Sequence, residues 1–342
     1  MIEPFSLGLA SPLSTADGTV DHREGFVVRH EHRGETGLGE ATPLPGWTES
    51  LTECRAGLER AFDTETNDLN ARLHELDGTP AARHGLATAL HDADARADGV
   101  PLYRWFGDGR HCERVPVNAT VGDGTAEETV EAAEHAVEAG FGCLKIKVGA
   151  RPLGADLDRV RQVRAEVGDD STLRLDANGA WDREQAERAF DALESLDVSY
   201  VEQPLSPADL DGLASLRGGP VGVAVDETLR ERSIGEVLTA GAADVVVLKP
   251  MVLGGPGTAY TLATRARESG VEPVVTTTLD AVVARTAAVH VAAAVPDVRP
   301  CGLATADRLT ADLAPDPAPF EDGAIAVPQD SGIGIDPAEV ST

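Results

Sequence analysis

The sequence predicts an α/β protein: a modified (β/α) barrel of the TIM type, preceded by an α+β capping domain. Three observations carry that prediction. Short apolar runs recur at an even pitch from Arg114 onward, patterned as strands buried on both faces. Stretches with helical spacing lie between most of them, as a parallel sheet requires. Ionisable residues stand at the carboxyl ends of consecutive runs, the end at which barrels of this kind place their chemistry. A chain of 342 residues can hold such a barrel and a smaller domain besides.

In order along the chain, residues 5–10, 25–32 and 36–40 read as a short antiparallel sheet, with 14–24 as a polar connecting loop. The stretch Gly39-Glu40-Ala41-Thr42-Pro43-Leu44-Pro45-Gly46-Trp47-Thr48 has two prolines and a glycine that forbid regular structure, giving a rigid, aromatic-tipped loop able to lid a pocket. Thr48 ahead of Leu51, Cys54, Leu58 and Phe62 predicts an N-capped amphipathic helix, and a second helix fits 82–97. Strands then follow at 115–120, 143–148, 173–178, 200–204, 221–228, 244–250, 272–278 and 300–305. Helices fit 126–139, 156–167, 182–196, 233–240 and 258–269. Eight evenly pitched strands favour a closed barrel over an open sheet. Neither a G-x-G-x-x-G after the first strand nor a G-x-x-x-x-G-K-[ST] occurs, so nucleotide-binding versions lose ground. The expected division is a capping domain over 1–112, joined by a Pro- and Asp-rich tail over 312–342, and a (β/α)7β-type barrel over 113–311 holding the site.

Composition narrows the function. With 58 acidic against 29 basic residues the net charge is −29, which repels nucleic-acid phosphate and anionic membrane surfaces and excludes both as partners. Acidic excess with lysine nearly eliminated suits a salt-loaded cytoplasm, a halophilic adaptation rather than a function. The four cysteines, Cys54, Cys112, Cys143 and Cys301, have no metal spacing and read as small buried hydrophobes in a reducing cytosol. The N-terminus lacks a basic region and a long apolar core, so no secretory signal is expected; the run around 282–295 is interrupted by Arg285 and His290 and does not read as a membrane span. A cytoplasmic protein is the expectation, and nothing in the sequence speaks to its oligomeric state.

Lysine occurs only at Lys145, Lys147 and Lys249, all in runs that read as buried strands; every other basic residue is arginine. Chemistry needing an amine that exchanges protons explains that economy, because arginine stays charged at any accessible pH. Lys145 and Lys147 leave one face of the second strand. Asp176 with Asn178 ends the third strand, Glu202 the fourth, Asp226 with Glu227 the fifth and Lys249 the sixth. Each alone has an ordinary explanation as a helix cap or an exposed strand end. Five consecutive strands ending this way point instead to one mouth. Three carboxylates there would repel one another unless a cation sat between them, and oxygen-only ligands select Mg²⁺, with Mn²⁺ as a substitute. A small-molecule carboxylate on that metal would have an acidified α-proton for a desolvated lysine to take, leaving an enediolate.

These motifs resemble the enolase superfamily. The K-x-K of the second strand and the lysine of the sixth resemble its muconate-lactonising subgroup. Within that subgroup the chain is most similar to the o-succinylbenzoate synthase family of menaquinone biosynthesis. Gly39-Glu40-Ala41-Thr42-Pro43-Leu44-Pro45-Gly46-Trp47 and Gly302-Leu303-Ala304-Thr305-Ala306-Asp307 also resemble that family. The resemblance implies metal ligands at Asp176, Glu202 and Asp226, a base at Lys147, and Lys145 supporting the substrate carboxylate and lowering its neighbour's pKa. Lys249 would face the substrate from the opposite side, acting by charge and cation–π contact. Asn178 and Glu227 would orient the ligands. Pro45, Trp47, Thr277 and Thr278 are candidates for the substrate pocket, although Thr276-Thr277-Thr278-Leu279-Asp280 departs from the serine and glycine more usual there. The implied reaction is dehydration of 2-succinyl-6-hydroxy-2,4-cyclohexadiene-1-carboxylate to o-succinylbenzoate, with proton and hydroxide leaving from one face.

Alternatives stay open. A racemase of N-acylated amino acids or a dipeptide epimerase would use both lysines as opposed acid and base. The Asp-x-Asp expected of a dipeptide epimerase after the eighth strand is not found in Gly302-Leu303-Ala304-Thr305-Ala306-Asp307. Muconate cycloisomerisation is a further reading. A Schiff-base barrel on Lys249 would leave the carboxylates unexplained, and a metal-binding barrel without turnover would leave the lysine set unexplained.

Overall fold

The computed structural model describes residues 1–15, 18–64, 69–107 and 109–342. It opens with an antiparallel sheet of β1 (Ile2–Thr15), β2 (Gly18–His32) and β3 (Glu35–Ala41). Residues 14–24, expected as a loop, are therefore mostly strand: Leu13 faces Val20 and Ser14 faces Thr19. Residues 16 and 17 of that stretch lie outside the described residues. Exposure explains the miss, because 18–22 is mostly exposed and shows no apolar alternation.

Helices α1 (Leu51–Asp63), α2 (Leu69–His74), α3 (Pro80–Ala97) and α4 (Leu102–Phe106) follow. The cap of α1 is Ser50, not Thr48: Ser50 and Glu53 form a reciprocal capping box. Thr48 Oγ1 instead accepts from the Leu44 N–H at 2.9 Å and closes the preceding loop. Helix α3 lies directly on β3, since a Cβ on Gly37 or Gly39 would come within 1.8 Å of the carbonyl oxygens of Ala89 and Gly85. Glu40, the next residue, takes the opposite face of β3.

The barrel begins where one expected strand is broken in two, β4 (Arg114–Pro116) and β5 (Ala119–Val121). It continues as α5 (Ala126–Glu138), β6 (Cys143–Lys147), α6 (Leu153–Val167), β7 (Thr172–Asp176), α7 (Arg183–Leu193), β8 (Val198–Glu202) and α8 (Leu210–Ser215). Then come β9 (Gly222–Val225), α9 (Thr228–Glu231), α10 (Ile234–Ala240), β10 (Val245–Leu248), α11 (Pro256–Glu268), β11 (Glu272–Val275) and α12 (Val282–Ala294). Strands β5 to β11 pair in chain order as one parallel sheet. The eighth strand expected at 300–305 is reduced to bridges that join the sheet's two edges: Val117 pairs with Cys301 and Thr276 with Gly302. The predicted barrel class is thus the observed one. Helix α12, unassigned from the sequence, is buried along almost its whole length and so has no apolar stripe to betray it.

Strands β12 (Phe320–Glu321) and β13 (Ala324–Ala326) form a small antiparallel sheet with β4. The last residues run back over the first sheet, where Arg29 donates to the carbonyls of Pro337 (2.6 Å) and Val340 (2.9 Å). Outward-facing strand residues such as Leu144, Ile146, Leu173, Leu175, Val201 and Val223 pack against the helices in the largest apolar core. Among the described residues no helix is long and apolar enough to cross a membrane. The four cysteines carry free thiols.

Candidate active site

Alternation along β6 sends Leu144 and Ile146 into the helix layer and turns Lys145 and Lys147 into the barrel. Strand register then sets the layers. Lys145 lies beside Arg174 and Arg174 beside Tyr200; one step higher, Lys147 lies beside Asp176 and Asp176 beside Glu202. The lower layer is a floor. Arg174 sits over the Tyr200 ring at 4.9 Å and donates to the Pro300 carbonyl at 2.6 Å. Tyr200 packs with Ala224, Val245 and Val274. The upper layer is the mouth.

There the predicted lysines and carboxylates fall into two bonded groups, one around Lys145 and Lys147 and one around Lys249. Lys147 Nζ donates to Asp176 Oδ2 at 2.6 Å and Asn178 Oδ1 at 2.9 Å. Lys145 Nζ lies 3.2 Å from Asp176 Oδ2 and donates to both Glu202 oxygens at 3.1 and 3.2 Å. Asn178 donates to Glu227 Oε1 at 2.9 Å. Lys249 Nζ donates to Asp226 Oδ2 at 2.5 Å and stands 3.4 Å from the centroid of the Trp47 ring. The loop carrying Trp47 is held from the barrel side by Arg230, which donates to the Gly46 carbonyl. Pro45 is exposed at the loop tip. Thr277 and Thr278 are buried on the loop after β11; Thr277 hydrogen-bonds Thr305 at 3.0 Å and Thr278 donates to Asp280 at 2.5 Å, and neither bonds Lys145, Lys147, Lys249, Asp176, Glu202 or Asp226.

Charge in the mouth is finely divided. Asp176, Glu202 and Asp226 are all buried. Burial opposes charge on Asp176, yet Lys145 and Lys147 hold it well below the usual carboxylate range. Burial and then the charge of Asp176 push Glu202 up to about 7, against the pull of Lys145. Burial also raises Asp226, with Lys249 opposing and Glu227 adding to the rise. For Lys145 the balance reverses: burial would lower it, but Glu202 and Asp176 outweigh burial and hold its ammonium well above the ordinary lysine value.

The donor chemistry fits a hard divalent cation, because three neighbouring strand ends each supply buried carboxylate oxygens. Glu227 Oε2, next to Asp226 in sequence, is buried with no hydrogen-bond partner, as befits a place where positive charge is wanted. As the side chains stand, lysine ammonium groups lie between the carboxylates, and no three acidic, histidine or cysteine side chains among the described residues are gathered for one ion.

Sequence reasoning missed Gln203. It is fully buried with φ of 42°, and its Oε1 accepts from the N–H groups of Asp226 and Thr228, both at 3.1 Å, locking the ends of β8 and β9 together. Arg159 on α6, also missed, donates to the Lys147 carbonyl at 3.0 Å and pairs with buried Asp156 at 2.8 Å. Both act largely on backbone groups, which leave no spacing motif.

Comparison with known proteins gives the family of the chain. The family described as enolase C-terminal domain-like matches residues 128–341, and the MenC N-terminal domain matches residues 4–93. A chloromuconate cycloisomerase of Cupriavidus pinatubonensis is 30% identical over 92% of this chain and 89% of its own. An o-succinylbenzoate synthase of Thermobifida fusca is 40% identical over 60% of this chain and 64% of its own. Among solved structures, the substrate-liganded L-Ala-D/L-Glu epimerase of Bacillus subtilis superposes with a TM-score of 0.88 at 29% identity, covering 98% of this chain and 97% of that one. The dipeptide epimerase of Enterococcus faecalis, solved with Mg and the dipeptide L-Leu-L-Tyr, gives 0.87 at 26% identity over 98% of both chains. The first family match takes in every lysine and carboxylate of the mouth and more than half of the sequence: the chain belongs to the enolase superfamily.

Proposed function

We propose that this protein dehydrates 2-succinyl-6-hydroxy-2,4-cyclohexadiene-1-carboxylate to o-succinylbenzoate, a lyase reaction through an enediolate, with Mg²⁺ bound. The observation that carries the reading is a lysine on each side of the carboxylate row, Lys147 on β6 and Lys249 beyond β10, under a capping loop that presents an aromatic face. The MenC N-terminal match over that capping region and the 40% identity to an o-succinylbenzoate synthase favour this substrate within the superfamily.

Asp176, Glu202 and Asp226 would hold the cation, with Asn178 and Glu227 orienting them. A bound cation supplies neutralising charge for the substrate carboxylate as its α-proton leaves. Lys147 as free amine takes that proton onto Nζ, between the acceptors Asp176 and Asn178 that fix its direction. The new ammonium faces the side from which hydroxide departs, and passing the same proton to it releases water. Lys145, whose ammonium reaches Glu202 and Asp176, would support the substrate carboxylate by its charge. Lys249 faces the ring from across the mouth and stabilises the developing negative charge.

A second reading has its own support. The full-length similarities include epimerases, and two opposed lysines can exchange one α-proton from either face. The test is a panel: chelated protein, then Mg²⁺, Mn²⁺ or Zn²⁺ added back, against the cyclohexadiene carboxylate, N-succinyl amino acids, dipeptides and muconate. Dehydration restored by Mg²⁺ or Mn²⁺ and poorly by Zn²⁺ supports the proposal. Epimerisation or cycloisomerisation without dehydration, or full activity after exhaustive chelation, overturns it.

A further inference from the structure

We infer that Glu40 and Arg23 are positioning residues that lock the capping loop (42–47) to the loop after β11 (276–280), so that the two sides of the substrate pocket move as one. Both residues are almost completely buried, yet most of their hydrogen bonds go to backbone, and each reaches across the junction between the first sheet and the barrel. Glu40 Oε1 accepts from the Ala281 N–H at 2.9 Å and Oε2 from the Ala284 N–H at 2.8 Å. Those N–H groups are of the N-cap residue of α12, Ala281, which has no side chain able to cap, and of Ala284 in its first turn. A carboxylate from β3 therefore caps the helix that the loop after β11 leads into. Its Oε1 also accepts from Thr42 Oγ1 at 2.5 Å, at the start of the capping loop.

Arg23 makes the second tie. Its guanidinium donates to the carbonyls of Thr42 (2.9 Å), Pro43 (3.0 Å) and Leu279 (3.2 Å), so that it reaches both loops. Leu279 has φ of 60°, a conformation that costs a bulky residue energy and persists only where its surroundings impose it. The Arg23 bond to its carbonyl and the Asp280 carboxylate, which accepts from Thr278 N and Oγ1, impose it here. Thr277 and Thr278 on one loop and Trp47 on the other thus share one support. The inference rests on the mouth being the substrate site and adds which residues set its width.

Glu40→Gln tests it, since the Ala281 and Ala284 N–H groups bond different carboxylate oxygens, and an amide puts an NH₂ donor in the place of one of them. The readouts are hydrogen exchange of segments 276–284 and 44–48, and KM and kcat on the cyclohexadiene carboxylate with Mg²⁺. Exchange should speed up by about tenfold in both segments together, with KM rising about tenfold and kcat falling less than about threefold, the loss of roughly one hydrogen bond. Faster exchange in 276–284 with 44–48 unchanged overturns the coupling. A fall in thermal stability with KM unchanged shows a merely structural role and also overturns it. If Glu40→Gln does not fold, Arg23→Lys, which keeps the charge but cannot reach three carbonyls, takes its place: the same measurements apply, and the same results support or overturn the coupling. Were the wild type inert on this substrate, the dehydration reading would fall while the exchange data still decided the coupling.

Discussion

Replacing Trp47 separates what an aromatic ring does at this mouth from what bulk does. Lys249 Nζ stands 3.4 Å from the indole centroid, and its side chain is 13% exposed, so the contact is largely dry. Its other partner is Asp226 Oδ2 at 2.5 Å. A cation over an aromatic face is worth about 1 kcal/mol in water and about 2 kcal/mol when desolvated. The loop itself is anchored independently of the ring, by Arg230 on the Gly46 carbonyl and by the Trp47 N–H on the Leu44 carbonyl. Trp47→Leu should therefore keep the loop and lose the contact, lowering kcat/KM by about 5- to 30-fold, while Trp47→Phe, which keeps a π face, should lose about threefold or less. Steady-state kinetics on the cyclohexadiene carboxylate measures both. A loss in kcat means that the contact strengthens in the transition state; a loss confined to KM means that it is made equally in the ground state. Equal losses in the two variants would refute the argument, because bulk alone would then account for Trp47.

Two further outcomes follow from charge and burial. With a net charge of −29, dilution from molar salt to about 0.01 M lengthens screening from roughly 3 to 30 Å, so the melting temperature should fall; a constant value would contradict the halophilic reading. Burial pushes His290 down to about 4 from its ordinary 6.5, so the unfolded chain binds a proton there that the folded one does not, and this contribution to stability is lost as pH falls from 6.5 towards 4. His290→Asn should flatten the decline of melting temperature over that window relative to wild type, and an unchanged slope would contradict the assignment.

The barrel was legible because its strands are buried on both faces and end in ionisable residues whose register survives the uneven helices between them. The lysine economy marked the mouth before any geometry did, and Lys145, Lys147 and Lys249 all lie at it. What failed has local causes. The exposed strand residues 18–22 lack alternation, and the last strand is cut down to Cys301 and Gly302. At α1, Ser50 and Glu53 already spelled out a capping box, but Thr48 stood in front of them. Glu40, Arg23 and Gln203 were invisible as functional groups because they mainly bind backbone N–H and C=O groups brought near only by the fold. The substrate pocket is the least legible part for the same reason: Trp47 reaches Lys249 from a distant part of the sequence, and no local pattern records that contact.

The central claim is that Lys147 exchanges the proton while Lys249 acts by its charge. Arginine at either position keeps the charge but cannot become a base. Turnover of the cyclohexadiene carboxylate and exchange of its α-proton with deuterated solvent, measured side by side for Lys147→Arg and Lys249→Arg, test it directly. The account predicts that Lys147→Arg loses at least about 10²–10⁴-fold in both, while Lys249→Arg retains more activity than Lys249→Ala. Near-normal turnover by Lys147→Arg, or equally severe losses in both arginine variants with exchange surviving for one enantiomer of an N-acyl amino acid, would contradict it.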